Sequence, residues 1–271
     1  MKKENLGSIK ALKKQLGAAV AMVCVAAVAL GSSTYAWFVT NNKVDATTST
    51  ISAQSNAAFM TIANGATGAN AVDTTSVTTA VQTKALYPAT FGEETGATKG
   101  KFMTGYGTKL DNGTLSGELK LVGTGSNPTG TYSEATAADY ALLQDFNISS
   151  KGQNLTNLSI EKVENVKNST STSELAKALR VLVTNADGTV WAVYGQKDAA
   201  DSTEYEVKLT SAEQNAAVTF GDITAGQDTA VHVYLYYEGK DAKVTTKNLQ
   251  ENKLTATNAV TVYFTATAVN K

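Results

Sequence analysis

Alternation of apolar and polar residues, repeated in several segments rich in Thr and Val, most limits the folds open to this chain. Val260, Val262, Phe264, Ala266 and Ala268 alternate with Thr261, Tyr263, Thr265 and Thr267. Val231, Val233, Leu235 and Tyr237 alternate with His232, Tyr234, Tyr236 and Glu238, and Tyr205, Val207 and Leu209 with Glu206, Lys208 and Thr210. Successive side chains of a strand point to opposite faces. Each segment therefore reads as a strand with one face in a core and the other in solvent. Branching at Cβ suits Thr and Val to a pleated surface. Shorter strands are expected over 119–122, 146–149 and 158–161. Two more, over 179–184 and 189–194, flank Asn185-Ala186-Asp187-Gly188, where Asp-Gly predicts a hairpin turn.

Helical signals are few. Ser171 and Glu174 have capping-box spacing before Leu175, Ala176, Ala178 and Leu179, and residues 135–145 are a second candidate. Segments 64–79, 92–108 and 123–133 read as long loops rich in Thr and Gly. The expected fold is all-β: an antiparallel, jelly-roll-like β-sandwich with one or two short helices.

The N-terminus has the pattern of an export signal. Lys2, Lys3, Lys10, Lys13 and Lys14 precede an uncharged apolar run from Leu16 to Leu30. Thr34 and Ala36 then fit the small −3 and −1 positions of a signal-peptidase site. Cleavage is expected between Ala36 and Trp37. The organisation is then a signal peptide over 1–36, an N-terminal strand or arm over 37–55, and a β-sandwich domain over 56–271. The run is short for a membrane span, which takes about 20 residues, so the only expected membrane association is through an uncleaved leader. Cleavage removes five of the 23 basic residues and one of the 24 acidic ones, leaving a mildly acidic chain without the basic patch that nucleic acid would need.

Cys24, the only cysteine, lies inside the leader. The mature chain is thus expected to have neither disulfides nor thiolate chemistry. Val23 stands before Cys24 where a lipidation site wants a small residue. The C-terminal end has no wall-sorting motif, so no covalent tie to the cell surface is expected.

Catalytic patterns are poor, and no enzyme, catalytic residue, cofactor or metal site is expected. His232 is the only histidine. A zinc site of the HExxH kind needs two, and a Ser-His-Asp triad needs one beside a nucleophile on a sharp turn. His232 instead falls in a strand, on its solvent side. Asp222, Asp228, Glu238 and Asp241 carry oxygens suited to Ca²⁺, but their spacing matches no known loop and reads as solvated turns. Tyr234, Tyr236, Thr261 and Tyr263 suggest either an exposed contact face for a glycan or protein, or ordinary strand positions.

The junction Tyr35-Ala36-Trp37-Phe38 resembles that of the TasA/camelysin family of secreted Gram-positive proteins. Weaker echoes follow in order: Leu86-Tyr87-Pro88-Ala89-Thr90, residues 175–181, and Val231 to Asp241 before a last strand. The resemblance implies a jelly-roll sandwich, release by a signal peptidase and a structural role in extracellular fibres of the biofilm matrix or at the cell surface. Some members carry a metalloendopeptidase description; with no recognisable metal site here, that activity is not carried over.

Two functional expectations remain open. In one, the chain is a secreted structural protein that polymerises head to tail with itself. Its arm, with Trp37, Phe38, Val39, Val44 and Ile51 spaced by Thr and Ser, adds to a neighbour's sheet. In the other, the arm is the first strand of its own sheet, and the protein is a monomeric surface adhesin or glycan- or protein-binding module.

Overall fold

The computed structural model describes residues 15–17, 19, 22, 44–55, 59–80, 82–92, 99–104, 109–111, 114–116, 120–122, 140–166, 177–197, 203–241, 243–244 and 257–269. Residues 15–17, 19 and 22 are helical. No helix among the described residues is long and apolar enough to cross a membrane. Sixteen strands follow: β1 (Val44–Ser55), β2 (Met60–Asn64), β3 (Ser76–Thr78), β4 (Gln82–Leu86), β5 (Thr90–Phe91), β6 (Phe102–Thr104), β7 (Lys109–Asp111), β8 (Thr114–Ser116), β9 (Lys120–Leu121), β10 (Ala141–Ser150), β11 (Leu155–Val166), β12 (Leu179–Asn185), β13 (Trp191–Gln196), β14 (Tyr205–Thr210), β15 (Thr229–Tyr237) and β16 (Thr257–Ala268).

The fold is an all-β sandwich, as expected. A first sheet runs β11-β16-β1-β3, with β4 also pairing β1; a second runs β14-β13-β12-β15-β10-β2. Their facing sides share one core. Ile51, Val163, Val260, Val262 and Phe264 of the first sheet meet Ile62, Phe146, Val181, Val233 and Leu235 of the second. The pleat explains why: apolar residues two apart along each strand lie on one face.

A third layer corrects the solvent-side reading of β15. The small sheet β5-β6-β9 lies on the outer face of the second sheet. There Phe91, Phe102 and Val122 pack with Leu182, Trp191, Val193, Tyr234 and Tyr236. Phe102 meets Tyr236 edge-on with ring centroids 5.1 Å apart, and Phe91 meets Trp191 likewise at 5.2 Å. This is the favoured geometry of paired aromatic quadrupoles. The central strands of the second sheet are therefore buried on both faces.

One helix and two loop expectations are also corrected. Residues 141–145 open β10 instead of ending a helix, because Leu142 and Phe146 join the main core while Ala141 joins the outer cluster. The capping pair Ser171 and Glu174 lies outside the described residues; Lys177 and Ala178 end on a 3₁₀ turn and lead into β12. Segment 64–79 holds a 3₁₀ turn at Ala69–Ala71 and strand β3, and segment 92–108 holds β6. The Asp187-Gly188 turn forms as read: Gly188 takes φ 72, and Asn185 N donates to Val190 O at 3.0 Å.

Candidate functional site

The predicted cleavage residues Ala36 and Trp37, and the arm residues Phe38 and Val39, lie outside the described residues. Val44 and Ile51 do not. Both belong to β1, an interior strand of the chain's own first sheet. Ile51 pairs with Val260 in the parallel β1–β16 ladder. On the other side β1 runs antiparallel to β3 and β4, with Val44 opposite Leu86 and Ala53 opposite Val77. Ile51 is 1% exposed. Its backbone oxygen accepts from Thr79 N at 3.1 Å, and its N donates to Thr79 Oγ1 at 3.3 Å. Ser52 and Thr78 hydroxyls meet at 2.9 Å. The physical reason is that two ladders and an apolar face are satisfied at once when Ile51 and Ala53 enter the core.

The four proposed contact-face residues separate. Tyr234 and Tyr236 are 3% and 0% exposed beneath Phe102. Thr261 and Tyr263 are half-buried on the first sheet. Tyr263 donates to Glu164 Oε2 at 3.0 Å, and Lys162 Nζ sits 4.3 Å from the Tyr263 ring centroid. These four residues therefore do not share one exposed face.

His232 is only partly exposed. Its Nδ1 lies 2.5 Å from Asp145 Oδ1, and its Nε2 lies 3.2 Å from the carbonyl oxygen of Ala186. Both ring nitrogens thus face oxygen acceptors, and neither is turned toward a hydroxyl. The acidic loop residues are dispersed among local contacts. Asp222 accepts from Asn157 N and Asp228 from Asn70 N, both at 3.0 Å. Glu238 accepts from Lys240 N at 3.0 Å, and Asp241 pairs with Arg180 at 2.8 Å. No three His, Cys, Asp or Glu among the described residues form a group that could hold a metal ion.

A cleft that the sequence reading missed opens between β11 and β14, where the two sheets separate at one edge of the sandwich. Its volume is about 350 Å³, and its lining includes Ile160, Tyr194, Tyr205 and Val207. The sheets are stitched at one end, where Asn165 N donates to Thr203 O at 2.9 Å. Ion pairs line the rim: Lys162–Glu164 at 2.8 Å, Lys197–Glu204 at 2.6 Å and Lys208–Glu206 at 2.6 Å. In each pair the lysine holds the carboxyl below its ordinary range. Such charges on short or bulged edges also discourage strand pairing with other chains, and β14 has a register shift opposite Val193 and Tyr194.

Below the rim, burial pushes the phenols of Tyr194 and Tyr205 up to about 12, although Asn165 Nδ2 donates to the Tyr205 oxygen at 3.2 Å. Burial raises Tyr237 further, and its hydroxyl has no hydrogen-bond partner among the described residues. The only sequence signal for this edge was the run of oppositely charged residues two apart on β14.

No family model matches the chain, and neither the curated proteins nor the solved structures contain a match to it.

Proposed function

We propose that this chain is a secreted structural protein that assembles into extracellular or cell-surface fibres by exchange of its N-terminal strand between subunits. It is released by a signal peptidase and does no chemistry of its own. The observation that carries this reading is the seat of β1. The first strand fills an interior slot between β16 and the β3/β4 edge, far from its own sequence neighbours on the β16 side. The same slot in a neighbouring subunit offers the same ladders and the same apolar pocket, so an exchanged strand loses no contact. The chain passes from β1 in the first sheet to β2 in the second between Ser55 and Met60. Phe59, in that connection, stands at φ 67, a region unfavourable for a bulky residue and relieved if the connection opens.

A paired-cysteine variant tests the reading. Ser52 and Thr261 are register partners across the parallel ladder, and the chain's one native cysteine lies in the leader. In Ser52→Cys/Thr261→Cys, oxidation of assembled protein should join different chains into a ladder on a non-reducing gel. Oxidation of the monomer first should lock β1 in place and block fibres. Fibres from the locked monomer, or mature wild-type protein that never polymerises, would favour the monomeric binding module instead.

A further inference from the structure

A second cleft, remote from β1, lies where the third layer meets the β12–β13 hairpin. It has a volume of about 420 Å³ and is lined by Lys99, Lys101, Asp187, Thr189, Trp191 and Ser211, with Gly100 and Gly188 in its wall. Trp191 is 3% exposed. Two glycines at positive φ close on its ring: a Cβ on Gly92 would come within 2.6 Å of Cη2, and one on Gly100 within 2.7 Å of Nε1. That packing fixes the indole at the wall of the cleft.

The polar groups of the cleft are donors in excess. Lys151, Lys162, Lys197 and Lys208 each pair with a carboxylate. Neither Lys99 nor Lys101 does so among the described residues; Lys99 Nζ reaches only the Ser211 carbonyl oxygen, at 3.4 Å. Ser211 Oγ accepts from Trp191 N at 3.2 Å and keeps its own proton to donate. The one carboxylate present, Asp187, is turned into its own hairpin, where it accepts from Thr189 N at 3.1 Å and Thr189 Oγ1 at 2.7 Å.

We propose that this cleft binds an oxyanion, the carboxylate or phosphate group of a small molecule or an acidic sugar, between the Lys99 and Lys101 ammonium groups, the Trp191 indole N–H and the Ser211 hydroxyl. Charge-assisted bonds from ammonium to carboxylate or phosphate are among the stronger hydrogen bonds available to such a site. The site does not depend on strand exchange and serves a fibre subunit or a monomeric binding module alike.

Trp191 supplies its own reporter. The chain has two tryptophans, so in full-length protein carrying Trp37→Phe all tryptophan emission comes from this cleft. That protein is titrated at constant ionic strength with glucuronate, with inorganic phosphate and with neutral glucose. A saturable change with either anion and none with glucose is expected, and which anion acts distinguishes a carboxylate from a phosphate ligand. Adding Lys99→Ala and Lys101→Ala should weaken that binding about tenfold or more, as for loss of one charge-assisted bond, with the melting temperature unchanged. No saturable change with either anion, an equal response to glucose, or undiminished binding by the lysine variant would overturn the proposal. If the lysine variant melts early, Ser211→Ala replaces it, with weaker anion binding expected and unchanged binding counting against the site.

Discussion

The first sheet presents one face to the core and one outward; the middle strands of the second sheet are covered on both. On β16, Val260, Val262 and Phe264 are buried, while Thr261, Tyr263 and Thr265 between them are only half-buried. On β15, Val231, Val233, Leu235 and Tyr237 enter the main core, and Tyr234 and Tyr236 enter a second one under Phe102. Both strands show the same period of two, but the intervening residues differ in kind. On β16 the alternate positions are mainly Thr, with Tyr263 half-buried among them, and that face is left open; on β15 the pair Tyr234 and Tyr236 is covered by another layer. Alternation reports that two faces differ without reporting that one of them is wet.

The sharpest way to break this comparison is to put a carboxylate on both faces of the first sheet and on the outer face of the second. Phe264→Asp and Tyr236→Asp should both abolish cooperative folding, since an unpaired buried charge costs several kcal/mol, comparable with a domain's whole stability. Thr265→Asp, on the open face of β16, should melt close to wild type. Thermal melts by circular dichroism check all three. A Tyr236→Asp protein as stable as Thr265→Asp would show that the third layer does not hold the second sheet.

A milder cut separates the layers. Phe102→Ala removes the ring that covers Tyr234 and Tyr236 and should destabilise by about 3–5 kcal/mol, the usual cost of deleting a buried phenyl group. Tyr234 and Tyr236 should then gain near-ultraviolet signal changes and solvent access before the main core opens. Urea denaturation followed by tyrosine absorbance would read this, and a loss under 1 kcal/mol would count against tight packing of the cap.

The smallest effect expected of a single side chain lies at alkaline pH. Tyr194 and Tyr205 are held neutral by burial, to about 12 against an ordinary 10.0. The unfolded chain releases these protons first as pH rises, so the stability they contribute is fully present below pH 10 and declines between pH 10 and 12. The loss is roughly 2–3 kcal/mol for each tyrosine. Stability that stays flat across that window would mean the phenols at the β11–β14 edge are solvated.

Much of the architecture was legible from pattern alone. Strands β12 to β16 fall where alternation or turn chemistry put them, the expected strands over 146–149 and 158–161 lie inside the longer β10 and β11, and the Asp187-Gly188 hairpin closes as its residues require. These are local properties: the pleat fixes which side chains share a face, and Gly accepts a positive φ without strain. The candidate sites were less legible. Trp191, Lys99, Lys101 and Ser211 are scattered along the chain and meet only because the third layer folds back over β13. Nothing in the spacing of Glu164, Lys197 and Glu204 announces that β11 and β14 face each other across an open edge.

By itself the sequence determined that this is a sandwich of strands, because propensity and alternation act within a few residues. Tertiary structure alone decided how many faces each sheet would bury and what β1 would pair with. Val44 to Ser55 could read as a free arm or as a strand, since Thr, Ser and alternating Ile51 and Ala53 suit both. What seats it between β16 and the β3/β4 edge is the match of its hydrogen-bonding groups and apolar face to strands that lie 22 to 209 residues away, and long-range pairing of that kind is set by packing and not by local preference.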